Sequence, residues 1–398
     1  MPAFLPSLLR YGLLLAALAP LAYYLLSALA AWRFFRRERA RALPDFTPPV
    51  SLLKPVRGVD FSSYENFSSF CRQDYPDYEL LFVVNDLSDP AVPILERLQQ
   101  EFPERGIRIF SGGDPLGANR KISNLCRILP EARHDILVIS DGDVRVGPRY
   151  LREVAAPFAD ARTGLVTCFY RGIAQKNLFA ELEAVGAASD FFAGVLMAGL
   201  LEGLTFALGA TMVTSKSWVA RIGGLQTIVD LHSDDYELGH RIFLEGGRIV
   251  LSREPVWTMY PAQNFAGYVD HQVRWARTVR LCRPLSYAGL LFTHGLPWTV
   301  AAALVAPTRT VAAAYLGAYP LLRLTQAWVV GVWGVGDEVL RRRLWLVPLR
   351  DAGNFFIWLW SFASNRIVWG ETEFEIRKDR MAPVSEPDAT GRASRKSE

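Results

Sequence analysis

The 398-residue sequence has few cysteines and no strong excess of charge of either sign. Its four cysteines are scattered without paired spacing, which argues against a disulfide framework or a zinc cluster and fits a reducing compartment. The formal net charge of +4 is too small to indicate nucleic-acid binding. The sequence also has no GxGxxG motif, no Walker loop and no internal repeat. These absences argue against several common nucleotide-binding and repeat classes.

Charged residues are also scarce, at 21% of the chain, whereas hydrophobic residues make up 51% and the mean hydropathy is +0.13. This composition excludes a disordered chain and a collagen-like repeat. It also argues against a purely soluble enzyme, because a soluble domain of this size usually carries more charge. The apolar excess is concentrated near the two ends of the chain.

The first apolar run covers residues 11–32, which are 22 residues without a charge. A bilayer core needs about 20 such residues, whereas the apolar core of a signal peptide has about 7–15. Five arginines follow directly, and basic residues stay on the cytoplasmic side of a membrane; they are Arg33, Arg36, Arg37, Arg39 and Arg41. The run therefore predicts an uncleaved anchor with its N-terminus outside and the next domain in the cytoplasm.

A second apolar block covers residues 285–335 and is interrupted at residues 307–309, which predicts a helical hairpin of two spans. The arginines at 341–343 then lie on the cytoplasmic side. Arg323 is costly inside a span, so we expect it to face protein or lie near a membrane edge. The apolar but charge-containing stretch 344–364 predicts a re-entrant or interfacial helix.

The middle of the chain predicts a globular α/β domain with a mostly parallel, doubly wound sheet, because short apolar runs alternate with helical stretches. The predicted strands are Val50–Lys54, Glu79–Asp86, Ile107–Phe110 and Asp135–Asp141, and the predicted helices are 61–73, 91–103 and 120–129. The stretch Asp190–Met212 is either a buried core helix or an amphipathic element that meets the bilayer. The predicted domains are an anchor and basic linker at 1–47, the globular domain at 48–282, a membrane hairpin and interfacial helix at 283–366, and a polar, disordered tail at 367–398.

Carboxylates follow two of the predicted strands, where the ligand of such a sheet binds. Asp86 ends one strand and Asp89 follows it, while Asp141 and Asp143 form an Asp-Gly-Asp triplet after another. The glycine allows a tight bend, so that two carboxylates can approach one hard cation such as Mg²⁺ or Mn²⁺. A lone triplet of this kind often caps a helix or a turn. Its position after a buried strand strengthens the metal interpretation.

Two further clusters have both a structural and a catalytic interpretation. Asp234 and Asp235 precede a helical stretch, where they cap the helix or where one of them is a general base with a raised pKa. The segment 271–280 is a basic juxtamembrane helix or a phosphate clamp. In the second interpretation its arginines grip phosphate in a fork and Trp275 provides a packing wall.

Six blocks of the chain, in this order, resemble the membrane-bound, processive-type inverting glycosyltransferases of GT-A fold. The resemblance is strongest to the ceramide glucosyltransferase family, whose bacterial members include glycosyltransferases of hopanoid biosynthesis. The blocks span almost the whole globular domain; they are VSLLKPVRGVD (50–60), YELLFVVNDLSDPAVP (78–93), GANRKISNL (117–125), ISDGDVRV (139–146), SDDYELG (233–239) and HQVRWART (271–278).

The resemblance implies a role for each matching residue. The implied nucleotide contacts are Asp86 and Asp89, the implied metal–diphosphate ligands are Asp141 and Asp143, and Lys121 would approach the diphosphate. Asp235 matches the catalytic base, with Asp234 beside it. Arg274 and Trp275 match the Arg-Trp of the family's Q/R-x-x-R-W motif, but its first position is His271 here and Gln272 is one residue out of register.

The activity implied by the resemblance is the transfer of one sugar, glucose or N-acetylglucosamine, from a UDP-sugar to the hydroxyl of a membrane lipid, with inversion and with Mg²⁺ or Mn²⁺. Ceramide and a hopanoid polyol are the expected acceptors, and the expected location is the inner membrane of a bacterium. A polysaccharide synthase of the same fold is the alternative enzyme, although it would need a transmembrane channel. A non-enzymatic membrane scaffold or transporter is the alternative from another class.

Overall fold

In the computed structural model, which describes residues 4–369, 372–377 and 380–384, an eight-stranded mixed sheet forms the centre of the molecule. Its strands are β1 (Val50–Pro55), β2 (Tyr78–Val84), β3 (Ile107–Ser111), β4 (Ile136–Ser140), β5 (Val144–Arg145), β6 (Thr163–Ala174), β7 (Thr211–Ser215) and β8 (Arg248–Tyr260). They lie in the order β3-β2-β1-β4-β7-β6-β8-β5. The pairs β3–β2, β2–β1, β1–β4 and β6–β8 are parallel, and the other three are antiparallel.

Helices surround this sheet and extend from it. They are α1 (Phe4–Ala16), α2 (Leu18–Ala40), α3 (Ser63–Cys71), α4 (Val92–Glu101), α5 (Arg120–Ile128), α6 (Tyr150–Ala155), α7 (Leu178–Gly186), α8 (Phe192–Leu201), α9 (Lys216–Arg221), α10 (Asp234–Leu244), α11 (Phe265–Cys282), α12 (Pro284–Gly289), α13 (Gly295–Val305), α14 (Arg309–Ala327), α15 (Glu338–Arg342) and α16 (Val347–Ser361). A π-helical segment, Ala187–Phe191, joins α7 to α8, and a second one, Trp328–Val335, extends α14.

The central strands are buried on both faces, which explains their nearly continuous apolar sequence. Successive side chains of a strand point to opposite faces. Leu52 and Leu80 therefore join the core shared with α3 and α4, while Leu53 and Leu81 join the core shared with α5, α9 and α10. The predicted α/β class and the four predicted strands, β1 to β4, are confirmed, as are the three predicted helices, α3 to α5.

Two helical segments are long and apolar enough to cross a membrane among the described residues, namely Ser7–Ala40 and Leu178–Leu201. A third candidate is the pair Pro284–Thr293 and Gly295–Val305, which is bent by 48°. The first segment contains the run from which the N-terminal anchor is predicted. The second segment, Leu178–Leu201, corrects the prediction of one element over Asp190–Met212. The helix ends at Leu201, and Gly203 then takes a left-handed φ of 81°.

Helices α13 and α14 form the predicted hairpin and pack together around Ala302, Val305 and Val311. Among the described residues, α14 is not one of the helices long and apolar enough to cross a membrane, so the second of the two predicted spans is not supported. Residues 306–308 form the turn, and the Thr308 side chain caps α14 by accepting a hydrogen bond from the Val311 N–H. Arg323 of α14 is only 1% exposed, so the prediction that it faces protein is confirmed. In α16, Phe356 and Trp360 are exposed while the charged Arg350 and Asp351 point inward.

The prediction of a disordered tail from residue 367 is wrong for the part that the structure describes. Three antiparallel strands form a separate sheet, β9 (Arg366–Trp369), β10 (Thr372–Arg377) and β11 (Arg380–Pro383). Alternating apolar residues give this sheet one buried face, on which Ile367, Phe374, Ile376 and Met381 contact Ala118 and Leu281. Residues 385–398 lie outside the described part of the chain.

Candidate active site

A large cavity, of about 1390 Å³, opens at the carboxyl ends of the parallel strands. Its lining includes Asp86, Asp141 and Asp143 from the loops that follow β2 and β4. It also includes Tyr24 of α2 and Leu296 of α13, which belong to the apolar helices. The cavity is therefore continuous from the acidic strand ends to the helices that are candidates to lie in the membrane.

The Asp-Gly-Asp loop, formed by Asp141, Gly142 and Asp143, follows β4 and rests on a buried lysine. Lys54 of β1 is fully buried beside the Phe70 ring, 4.1 Å from its centroid, and its Nζ donates a hydrogen bond to the Asp141 carbonyl. Burial, and then the neighbouring Asp141 charge, raise the pKa of Asp143 to about 7. Burial likewise lowers the pKa of Lys54 to about 7, against the attraction of both carboxylates. The loop thus concentrates negative charge that Lys54 offsets only in part.

Lys121 lies in the first turn of α5 and bridges two acids from different parts of the chain. Its Nζ is 2.7 Å from Asp141 Oδ1 and 2.9 Å from Asp234 Oδ2. Burial alone would lower the pKa of Lys121, but the two carboxylates outweigh burial and raise it. Asn119, which caps α5, also approaches Asp234, with Nδ2 3.5 Å from Oδ1. Lys121 therefore links the Asp-Gly-Asp loop to the acidic pair, Asp234 and Asp235, at the start of α10.

The two acids of that pair have different surroundings. Both acids line the cavity, but Asp234 is buried and paired with Lys121, whereas Asp235 is partly exposed. Asp235 Oδ1 accepts hydrogen bonds from the Tyr236 N–H at 2.8 Å and the Ser233 hydroxyl at 3.2 Å. Oδ2 lies against Gly209 and has no hydrogen-bond donor among the described residues. Burial, and then the Asp234 charge, raise the pKa of Asp235 to about 6.

Helix α11 carries the Arg-Trp pair along the cavity. Arg274 is partly buried, which lowers the pKa of its guanidinium, and the acid that opposes this effect is Glu183. Within the described part of the chain, no hydrogen bond or ion pair reaches the Arg274 side chain. Trp275 lines the same wall and meets the His271 ring edge-on, with the ring centroids 4.9 Å apart. An unpaired cation beside a cavity is free to bind an anionic ligand.

His271 and Gln272 are the two candidates for the first position of the family motif, and each is held by another side chain of the protein. His271 Nδ1 lies 2.6 Å from Glu183 Oε1, so this buried carboxylate holds the ring. Gln272 is also buried, and its Oε1 accepts a hydrogen bond of 2.7 Å from Arg350 of α16. Both residues line the cavity, but the side chains that hold them, Glu183 and Arg350, are protein groups. Contact of either with a diphosphate stays a prediction.

The two acids that follow β2, Asp86 and Asp89, also differ in their surroundings. Asp86 is exposed at the cavity, and its Oδ1 accepts hydrogen bonds from the Ser88 N–H and hydroxyl. Asp89 instead accepts the Gly58 N–H on both carboxylate oxygens, at 3.0 and 2.9 Å. Gly58 has a φ of 67°, which favours glycine. The direct role that this geometry gives Asp89 is to hold the loop around Gly58, which lines the cavity.

Sequence reasoning missed two charged residues of this site. Lys54 stands inside an apolar strand and Glu183 inside an apolar helix, and both are buried. Lysine and glutamate are almost never fully buried unless they are paired, so each was a detectable signal. Their partners, the Asp141 carbonyl for Lys54 and His271 for Glu183, lie far away in sequence and could not be read from it.

The site therefore lies at the acidic ends of a mostly parallel sheet, in a cavity shared with apolar helices, and the sequence profile that matches the chain makes it a glycosyltransferase. The chain belongs to Glycosyl transferase family 21, whose sequence profile matches residues 12–382.

Two relatives come from Caenorhabditis elegans. Ceramide glucosyltransferase 3 is 25% identical over 237 residues, which cover 58% of this chain and 50% of the relative. Ceramide glucosyltransferase 1 is 22% identical over 377 residues, which cover 89% of this chain and 77% of the relative. The chain thus spans half the length of the first relative and about three quarters of the second.

Similar solved structures include the mannosyltransferase PcManGT from Pyrobaculum calidifontis in complex with GDP-Man and Mn²⁺. It is 18% identical, with a TM-score of 0.47, over 86% of this chain and 99% of that one. TarS of S. aureus in complex with UDP-GlcNAc is 12% identical, with a TM-score of 0.41, over 85% of this chain and all of that one.

Proposed function

We propose that this chain transfers one sugar, glucose or N-acetylglucosamine, from a UDP-sugar to the hydroxyl of a membrane lipid, with ceramide or a hopanoid polyol as acceptor. The observation that carries the proposal is the single cavity that joins the acidic strand ends to the apolar helices. A water-soluble donor enters such a cavity from one side and a lipid enters from the other. The membership of family 21 and the ceramide glucosyltransferase relatives support the acceptor class.

Asp235 is the proposed general base. Its free Oδ2 takes the proton from the lipid hydroxyl as that oxygen attacks the anomeric carbon, and the bond from that carbon to the UDP oxygen breaks. One displacement of this kind inverts the configuration. A base with a pKa of about 6 is ionised at neutral pH and is still basic enough to accept the proton. Asp234 supports it, since its negative charge helps to raise that pKa.

Two cations are proposed to receive the departing diphosphate. Arg274 is unpaired, partly buried and placed along the cavity, so its N–H groups can bind phosphate oxygens without first breaking a protein contact. Lys121 can exchange one of its two carboxylate partners for a phosphate oxygen. Trp275 forms the adjoining wall, and Asp86 lies at the exposed end of the cavity, where it is proposed to contact the nucleotide.

The residues of the Asp-Gly-Asp loop fit a divalent cation. No group of three or more His, Cys, Asp or Glu side chains is placed to hold a metal among the described residues. Mg²⁺, however, often takes only one or two carboxylates and completes its shell with water and substrate phosphates. Asp141 and Asp143 are the proposed ligands. Burial, and then the Asp141 charge, raise the pKa of Asp143, and a cation would relieve the second of these effects. When bound, Mg²⁺ or Mn²⁺ would neutralise charge on the diphosphate.

We also propose that the catalytic domain faces the cytoplasm of a bacterium, with the chain in the inner membrane. The arginines that follow the first apolar run support this orientation. Protease treatment of sealed inverted vesicles should cleave the globular domain, whereas treatment of intact spheroplasts should leave it whole. The reverse pattern would overturn the orientation.

The proposed activity is tested by mass spectrometry of the lipids formed when the purified enzyme meets a panel of UDP-sugars and lipid hydroxyl acceptors. A product that carries one sugar is expected for the wild type, and Asp235→Asn should remove it. Asp45→Asn, at an exposed position in the linker after α2, is the matched control and should keep full turnover. A long polymer would favour a polysaccharide synthase, and no transfer from any donor would contradict the proposal.

A further inference from the structure

The three-stranded sheet β9–β11 lies against the proposed active site. Phe374 of β10 is buried and lines the cavity, and Thr372 of the same strand lines it as well. The apolar face of the sheet packs on Ala118, in the loop before α5, and on Leu281 of α11. A three-stranded sheet of this size needs such packing to be stable. The chain beyond α16 therefore forms part of the cavity wall.

The segment 229–231 joins this sheet to the loop before α5. On one side, the Asp230 carbonyl accepts a hydrogen bond of 2.8 Å from the Met381 N–H of β11. On the other side, Asp230 Oδ1 accepts a hydrogen bond of 3.1 Å from the Ala118 N–H. Gly117 allows this close approach, since a Cβ there would lie 2.6 Å from Asp230 Oδ1. Strand β11 is thus linked to the loop before α5 through one intervening stretch of backbone.

The same stretch of backbone leads to two charged groups of the proposed site. The Asn119 N–H donates to the Val229 carbonyl at 2.6 Å, and Asn119 Nδ2 donates to the Leu231 carbonyl at 3.2 Å. The Asn119 side chain also caps α5, in whose first turn Lys121 lies. Asp234, three residues after Leu231, begins α10. The contacts made by the sheet therefore lie directly beside both partners of the Lys121–Asp234 ion pair.

Helix α11 is attached to the same C-terminal segment. Arg277 Nη1 donates to the Arg366 carbonyl at 2.5 Å, and Arg280 Nη2 donates to Asn365 Oδ1 at 2.6 Å. These two arginines of the basic segment therefore bind protein atoms, whereas Arg274, one turn earlier, lines the cavity. The C-terminal segment thus contacts the helix that carries Arg274 as well as the two segments that lead into α5 and α10.

We propose that the sheet β9–β11 is a positioning element of the active site, and that Asp230 is the positioning residue through which it fixes the loop before α5. The sheet contacts three segments at once, and these carry Lys121, the acidic pair of α10 and Arg274. A displacement of about 1 Å in such groups can cost about 100-fold in rate. This inference rests on the proposed function, because it assigns the element that keeps the proposed diphosphate contacts in place.

The first test compares two apolar residues of the same sheet, each replaced by glutamate. Met381 is 5% exposed and belongs to the core with Ala118 and Leu281, so Met381→Glu should release the sheet, because an unpaired charge is costly to bury. Val368 is 58% exposed, and Val368→Glu is the matched control. Hydrogen exchange of the β9–β11 amides reports the release.

We expect UDP, measured by calorimetry with Mn²⁺ present, to bind roughly 10-fold more weakly to Met381→Glu, and kcat/KM to fall about 10- to 100-fold. Val368→Glu should match the wild type in both measurements. Wild-type UDP affinity in an enzyme whose sheet is released would overturn the inference. A wild-type enzyme that neither binds UDP nor transfers a sugar would overturn the proposed function instead. If Met381→Glu does not fold or keeps the sheet in place, variants of Asp230 decide.

The second test uses Asp230→Ala, which removes the acceptor of the Ala118 N–H and leaves the carbonyl that binds Met381. UDP should bind about 3- to 10-fold more weakly, the usual effect of losing one such hydrogen bond. Asp230→Asn keeps an oxygen for the Ala118 N–H and should restore the wild-type affinity, because the exposed ion pair with Arg380, at 3.8 Å, contributes little.

Glu96→Ala removes a carboxylate from an exposed position of α4 and should bind UDP as the wild type does. If Asp230→Ala lowered the midpoint of unfolding but left the UDP affinity of the folded enzyme unchanged, Asp230 would only stabilise the fold, and the inference would be contradicted. Weaker UDP binding in Asp230→Ala that Asp230→Asn restores would support it.

Discussion

Two groups of buried charge in this molecule differ in how completely they are paired. In the helical region, Arg323 binds both oxygens of Asp351 and also donates to Gln326 Oε1 at 2.5 Å. In the cavity beside the strand ends, Asp235 at the start of α10 has an oxygen without a donor, and Arg274 of α11 has no ion pair among the described residues. The Arg323–Asp351 pair is closed by protein atoms, whereas Asp235 and Arg274 have capacity left for a ligand.

This difference indicates which buried charges of the fold belong to a functional site. A buried charge that lacks a partner costs stability, so a folded protein keeps one chiefly where a ligand completes it. A fully paired cluster instead fixes the packing of the helices that contribute to it. Changes in the paired group should therefore reduce stability first, and changes in the unpaired group should reduce turnover first.

The largest effect is expected for Asp235→Asn, which removes the proposed base. Turnover should fall by about 10²–10⁴-fold, because that is the usual contribution of a positioned base. UDP binding, measured by calorimetry, should change little. Because the pKa of Asp235 is raised in the folded state, its carboxyl stabilises the fold below pH 3.8, and this contribution is lost as the pH rises through about 6. At pH 7.5 the variant should therefore unfold at or above the wild-type temperature. Wild-type turnover would contradict the assignment.

Arg323→Met is expected to act on stability. It leaves Asp351 buried without its cation, and breaking a buried pair in this way costs about 3–5 kcal/mol. Thermal unfolding in detergent should show a clearly lower midpoint than the wild type. The double variant Arg323→Met with Asp351→Leu should recover part of the loss, because no lone charge remains. A midpoint equal to that of the wild type would show that the pair is not structural.

Arg274→Gln should reduce turnover without reducing stability. Loss of one preorganised donor to developing charge costs about 10²–10³-fold in kcat, and UDP should also bind more weakly. The midpoint of unfolding should stay at or above the wild-type value, because a partly buried cation without a partner is removed. Arg221→Gln, at an exposed position of α9, is the control. If Arg274→Gln lowered only the midpoint, Arg274 would belong with the paired group.

The smallest effect is a pH dependence. Because burial raises the pKa of Asp235 to about 6, the base is protonated and inactive below that value. The value of kcat/KM should therefore fall about tenfold per pH unit below pH 6 and reach a plateau above it. A profile that stays flat from pH 5 to pH 7 would exclude a base with this pKa.

The sequence was informative where a local pattern decides the structure. Short apolar runs predicted β1 to β4 correctly, and their ends located the acids Asp86, Asp141 and Asp143 at one edge of the sheet. The run before the arginines predicted an apolar helix that the structure also has. Such features depend on neighbours in the sequence, so periodicity and charge are enough to find them.

Features that depend on distant contacts could not be predicted. Asp89 holds Gly58, Lys121 bridges Asp141 and Asp234, and neither pairing has a local signature. The sheet β9–β11 has a polar sequence overall, and its few apolar residues form a core only because Ala118 and Leu281 meet them. In these cases tertiary contacts override composition.

The most direct test of the account is the structure of the product made from UDP-glucose and ceramide by the purified enzyme. NMR spectroscopy of the isolated glycolipid gives the number of sugars and the configuration at the anomeric carbon. A single displacement driven by Asp235 predicts one glucose, joined with configuration opposite to that in the donor. A product with retained configuration, or with a chain of sugars, would contradict the account.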